Sequence, residues 1–152
     1  MYTYTMDSFF TPLPIIIATI AGFCVGAVWY SPLLFLTTWL RGEGLTKDQI
    51  PKRSLAYVIQ THVYAFIGHG VIVAVLAVIF DLLQIQTMKV AISLSLLLAI
   101  GFIVSTRFIE MVYNVQRKHY EMRSQIKFLL FSAYYCTVVA VMSSVLFLIV
   151  SS

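Results

Sequence analysis

Residues 55–80 read LAYVIQTHVYAFIGHGVIVAVLAVIF, a run without a single Asp, Glu, Lys or Arg. About 20 mostly apolar residues, each adding ~1.5 Å of helix, cross the roughly 30 Å of a hydrocarbon core, and this run is longer than that. A helix lying on a soluble core keeps one polar stripe for water, and none is present. Three further stretches have the required length and apolar character: about Leu13 to Trp39, about Met88 to Tyr113, and about Ile126 to Val150. The sequence therefore predicts an all-α, polytopic membrane protein. Short connections and the lack of any repeat or linker make it a single domain over residues 1–152, a four-transmembrane-helix antiparallel bundle.

Composition agrees with that reading. Of 152 residues, 61% are hydrophobic and 11% charged, with a mean hydropathy of +0.93, whereas a soluble domain carries about 25% charge. Ten basic and six acidic residues cannot cover a water-facing surface. The lipid bilayer is the expected partner. A pI near 9.2 does not indicate nucleic acid, because the cations fall in two loops and not along one face. The opening MYTYTMDSFFTPLP has no positive segment before its apolar run and no small-residue cleavage site after it, so no removable signal peptide is expected. Cys24 and Cys136 lie inside apolar runs with no CxxC pair, which fits small buried side chains and opposes thiol redox chemistry. No metal or cofactor is expected.

Cations near helix ends report orientation. Loop one holds Arg41, Lys47, Lys52 and Arg53, and loop three holds Arg117, Lys118, Arg123 and Lys127, against Lys89 alone on the opposite side. Loops one and three should be cytoplasmic and both termini external. Tyr2, Tyr4, Phe9 and Phe10 suit an interfacial aromatic belt.

The first helix ends in Trp29-Tyr30-Ser31-Pro32-Leu33-Leu34-Phe35, followed by Trp39 and by Gly44-Leu45-Thr46 in the loop. This resembles the domain-of-unknown-function family numbered seventeen sixty-one, whose first helix ends in a WYSPLLFG-like motif followed by Trp and a GLT loop. Gly101-Phe102 and the FLLFSAYY stretch from Phe128 to Tyr135 extend the likeness more weakly. The resemblance implies a four-helix membrane domain in a bacterial inner membrane, and no particular activity. Leu36 stands where the family has Gly, and Phe131 or Ser132 where its fourth helix has Asn, so a polar role of that Asn has no counterpart here.

Polar side chains inside the spans are the candidates for function. Counting along each helix places Tyr30, Ser31, His62, Arg107, Glu110 and Tyr134 in the half of the bilayer nearer the basic loops, where they could form one layer. Pro32 frees the carbonyl of Val28 and is expected to kink the first helix, with Trp29 or Tyr30 packed on helix two or four. Arg107 and Glu110, one turn apart, can pair with each other or with His62, and the plain alternative is a helix-end anchor. His69 falls near the midplane between Gly68 and Gly70, where an imidazole needs a partner, whether as proton relay, ligand donor or structural hydrogen bond. His62 and His69 share a face but lie roughly 10 Å apart, too far to share a metal whose ligands sit ~2 Å away. Gly22 and Gly26 form a GxxxG element able to bring two helices close, within one chain or between chains. Ser93, Ser95, Ser105, Ser132, Ser143 and Ser144 read as packing residues, and no GxSxG, P-loop or HExxH pattern is present.

These features point first to a small transporter or channel for protons or small solutes, assembled as a homo-oligomer because one four-helix protomer is thin for a pore. The alternative is a non-catalytic scaffold or accessory subunit that docks a membrane-protein partner. An intramembrane enzyme would need a convergent nucleophile or ligand set that the sequence lacks. The charge asymmetry carries its own test: a reporter fused after Ser152 should score as external in intact cells, and a cytoplasmic signal would reverse the orientation.

Overall fold

The computed structural model describes residues 11–50, 52–114 and 121–151, and every regular element among them is helical. The expectations for Tyr2, Tyr4, Phe9, Phe10, Arg117 and Lys118 lie outside the described residues. In chain order the elements are α1 (Pro12–Trp29), α2 (Leu36–Glu43), a short turn at Lys47–Gln49, α3 (Leu55–Leu82), α4 (Met88–Leu98), a π-helical segment (Ala99–Val104), α5 (Ser105–Asn114) and α6 (Glu121–Ser151). Four helices are long and apolar enough to cross a membrane: Pro12–Trp29, Leu55–Leu82, Met88–Tyr113 and Met122–Ser151.

The starts follow local rules. α1 opens with proline in its first turn, where the missing N–H is not needed. Ser54 and Thr87 cap α3 and α4 by accepting the N–H groups of Tyr57 and Val90. Gly44, at φ +72°, closes α2 in the left-handed conformation, and a side chain there would also strike the Arg123 guanidinium. The fourth span begins earlier than the hydropathy indicates, so Arg123 and Lys127 sit on the first turns of α6 and not in a loop.

Two helices depart from their expected form. The first helix does not bend through Pro32 and run on to Trp39; it stops at Trp29, and the chain turns through residues 30–35 before α2 begins. Ser31 accounts for the stop. Its N–H and its hydroxyl, at 3.2 and 2.7 Å, both donate to the Val28 carbonyl that Pro32 leaves without a helical partner. Phe35 N–H then reaches back to the Trp29 carbonyl and Leu36 N–H to that of Ser31, closing a wide turn. The third helix is interrupted by the π segment, where the Ser105 hydroxyl donates to the Ile100 carbonyl at 2.9 Å.

α6 is the mast of the fold, in contact with α1, α2, α3, α4, the π segment and α5. Gly22 faces Met142 while Gly26 faces Tyr134, so α1 and α6 run antiparallel; Gly22 meets His69 and Thr19 meets Gly70, so α1 and α3 do too. Small residues mark the close approaches, with Ala18, Ala77, Ala91 and Ala99 all buried. The packed core occupies one half of the bundle: α3 contributes Val73, Leu76, Ala77 and Phe80, but Leu55 to Phe66 stand largely exposed. The protein is a wedge, closed away from the basic loops and open toward them. Lys127 ties α6 to Glu43 of α2 at 2.9 Å on the open side.

Because hydrogen bonds and packing, not proline alone, hold the α1–α2 turn, Pro32→Ala should leave it in place. Spin labels at Ala27 and Thr37 should keep their wild-type separation, whereas a continuous helix would set those backbones ~15 Å apart. Ser31→Ala should lower thermal stability in detergent by about 1 kcal/mol through the lost hydroxyl contacts.

Candidate functional site

His69 is the fifteenth of the 28 residues of α3, the middle of a helix that crosses the whole apolar slab. Its Nδ1 lies 2.6 Å from the Ala65 carbonyl, and its Nε2 3.0 Å from the Tyr134 hydroxyl on α6. A carbonyl only accepts, so Nδ1 carries a proton and donates it; with the ring neutral, Nε2 is the acceptor and Tyr134 O–H donates to it. Both ring nitrogens are thus satisfied inside the chain. Phe23 of α1 approaches the imidazole edge-on, with centroids 6.4 Å apart.

The glycines of α1 make room for this pair. A Cβ on Gly26 would lie 2.8 Å from the Tyr134 hydroxyl oxygen, and one on Gly22 would run into the Met142 side chain and come within 3.2 Å of the His69 ring. The GxxxG element therefore serves packing within the chain. Gly68, beside the histidine but on the other face of α3, has open space around it.

Around Tyr134, itself 6% exposed, aromatic rings collect. Trp29, Tyr30 and Tyr135 stand 5.9, 5.2 and 5.1 Å from it, Phe35 stacks at 4.6 Å on Trp29, and Tyr30 also meets Phe131. The WYSP stretch therefore packs on the fourth span, through both Trp29 and Tyr30. Trp29 Nε1 and Tyr30 Oη are covered and have no hydrogen-bond partner among the described residues. Trp39 is half-buried on α2.

The other expected members of a polar layer stay apart from this centre. Arg107 pairs with Glu110 at 2.6 Å and lies over the Phe131 ring, yet both side chains are about half exposed, at 41% and 54%. That is the geometry of a helix-end anchor. His62 does not join them: its Nδ1 binds the Val58 carbonyl and its ring rests on Phe23. Ser31 is spent on the α1–α2 turn. No cluster of three metal-ligating side chains occurs among the described residues. The span hydroxyls of Thr19, Thr61, Thr106, Thr137, Ser143 and Ser144 donate to carbonyls of their own helices, the usual solution for a hydroxyl in hydrocarbon. Phe23 and Met142, which wall in the pair, carry no signal of their own in sequence; only the spacing of Gly22 and Gly26 marks the place.

A family model described as protein of unknown function, DUF1761, matches residues 13–147, nearly the whole chain and every element that builds this centre. No curated protein and no solved structure matches.

The glycine contacts separate tight positions from free ones. Gly26→Ala should break the Tyr134–His69 bond and cost about 1–3 kcal/mol of stability in detergent, as overpacking does. Gly22→Ala should cost less, because the Met142 side chain can move aside. Gly68→Ala should be neutral, and equal losses at all three positions would contradict the packing described.

Proposed function

We propose that this chain, which belongs to the DUF1761 family, is a non-catalytic membrane scaffold or accessory subunit whose His69–Tyr134 pair is a structural latch between the second and fourth spans. The observation that carries the reading is the complete internal satisfaction of His69: both nitrogens are bonded within the chain, and Gly22, Phe23 and Tyr134 close around the ring. A proton relay at the same depth needs a nitrogen that meets water, and here each one is occupied. Apolar faces of α3 and α4 stand outward on this reading, ready to dock a membrane-protein partner or further copies of the chain. With Lys and Arg gathered at one end, loops one and three face the cytoplasm of a bacterial inner membrane and both termini lie outside.

The test sets stability against flux. His69→Phe keeps similar bulk but leaves Tyr134 O–H without its acceptor, so it should lose roughly 0.5–2 kcal/mol of stability in detergent. Wild-type protein in liposomes holding a pH dye should pass no protons. Proton flux from the wild type, abolished in His69→Phe with stability unchanged, would replace the scaffold by a conductor.

A further inference from the structure

We propose that the outward face of α3, carrying Tyr57, Gln60, Tyr64 and Gly68, is a self-complementary seam that binds a second copy of this chain. The inference deepens the scaffold reading, and rests on it, by naming the partner. On the side that meets the bundle α3 buries Val73, Leu76, Ala77 and Phe80. Residues three, four or seven apart share one side of a helix, and Tyr57, Gln60, Tyr64, Gly68, Val71 and Val75 recur in that way on the opposite side, every one exposed.

The polar members of this face meet hydrocarbon. Tyr64 stands five residues before His69, ~7.5 Å along the helix from the middle of the span, and is 63% exposed. The Gln60 amide donates to the Tyr64 hydroxyl at 2.8 Å, which holds both side chains along the face. That bond leaves the Tyr64 O–H proton and Gln60 Oε1 without partners among the described residues. Acyl chains neither donate nor accept, so each bare group costs free energy until another polar group meets it.

Symmetry selects the occupant. Two copies share one orientation, because the same basic loops set it, so their Gln60 and Tyr64 stand at equal depth. About a two-fold axis, Tyr64 of each copy donates to Gln60 Oε1 of the other, and one donor with one acceptor per copy completes the set. A foreign helix would have to carry the same pair at the same depth. Gly68, where an added Cβ would meet nothing within 4 Å, lets two backbones approach one turn deeper than the polar pair. Helices that cross there at ~20° diverge toward the basic loops, which keeps apart the two Arg53 guanidinium groups, each 4.6 Å over its own Tyr57 ring.

Disulfide crosslinking of the full chain in bilayers tests the seam, with Cys24 and Cys136 first replaced by Ser. Gly68→Cys should form a covalent dimer, whereas Ile59→Cys, on the side of α3 toward Phe23, should not. An interhelical hydrogen bond in a membrane contributes about threefold to association, so Gln60→Leu with Tyr64→Phe, which removes two, should raise the dimer dissociation constant about 8-fold in a bilayer FRET titration. Both side chains point away from the bundle, so the fold should survive. No dimer from Gly68→Cys, an equal yield from Ile59→Cys, or a dissociation constant that the double substitution leaves unchanged would each overturn the seam. Proton flux from the wild type would remove the scaffold reading instead, so the two failures are told apart.

Discussion

In hydrocarbon a polar group cannot trade a protein partner for water, and the bond from Tyr134 to His69 is governed by that restriction. An imidazole at the middle of a span is costly with one nitrogen bare and tolerable with both bonded. The Ala65 carbonyl and the Tyr134 hydroxyl supply the two bonds, and they fix much else. Tyr134 comes within hydrogen-bond reach of α3, 3.0 Å from His69, across the flank of α1, where a Cβ at position 26 would lie 2.8 Å from its hydroxyl oxygen and one at position 22 would meet the Met142 side chain. Trp29 and Tyr30 then settle against Tyr134, and the turn after Trp29 brings Phe35 back onto the same cluster.

Below this centre, toward the basic loops, the protein is not closed. A soluble domain could not leave Leu55, Tyr57, Ile59 and Val63 exposed on one helix, since each would forfeit hydrophobic stabilisation. In lipid the cost vanishes, because acyl chains are as apolar as leucine, and helices associate only where small residues allow close packing. Ala18, Ala77, Ala91 and Ala99 provide such contacts in the closed half, whereas Ala56, Ala65 and Gly68 in the first half of α3 stand exposed.

The number and approximate extent of the spans were legible because hydrocarbon thickness demands a length of apolar chain that few soluble segments reach. The Arg107–Glu110 pair was legible because three residues along a helix fix a neighbour. Other features depended on tertiary contacts. That the first helix ends at Trp29 follows from Ser31 taking up the Val28 carbonyl with two donors, which the position of proline alone does not reveal. The π segment depends on the register of Ser105 with Ile100, and apolar periodicity does not carry it. Tyr134 and His69 were each readable as polar residues in a span, but their partnership crosses 65 positions and needs α1 to step aside. His62 was expected in one polar layer with Arg107 and Glu110, and its contacts with Phe23 of α1 and the Val58 carbonyl are set by tertiary packing that spacing does not carry.

Solid-state NMR of the full chain in bilayers with ¹⁵N-labelled histidine tests directly whether His69 holds both of its hydrogen bonds inside the chain. One His69 signal set with a protonated Nδ1, a bare, hydrogen-bonded Nε2 and through-space contact to the Tyr134 ring is expected. An Nε2 with no through-space contact to the Tyr134 ring, exchanging with water in its place, would contradict it.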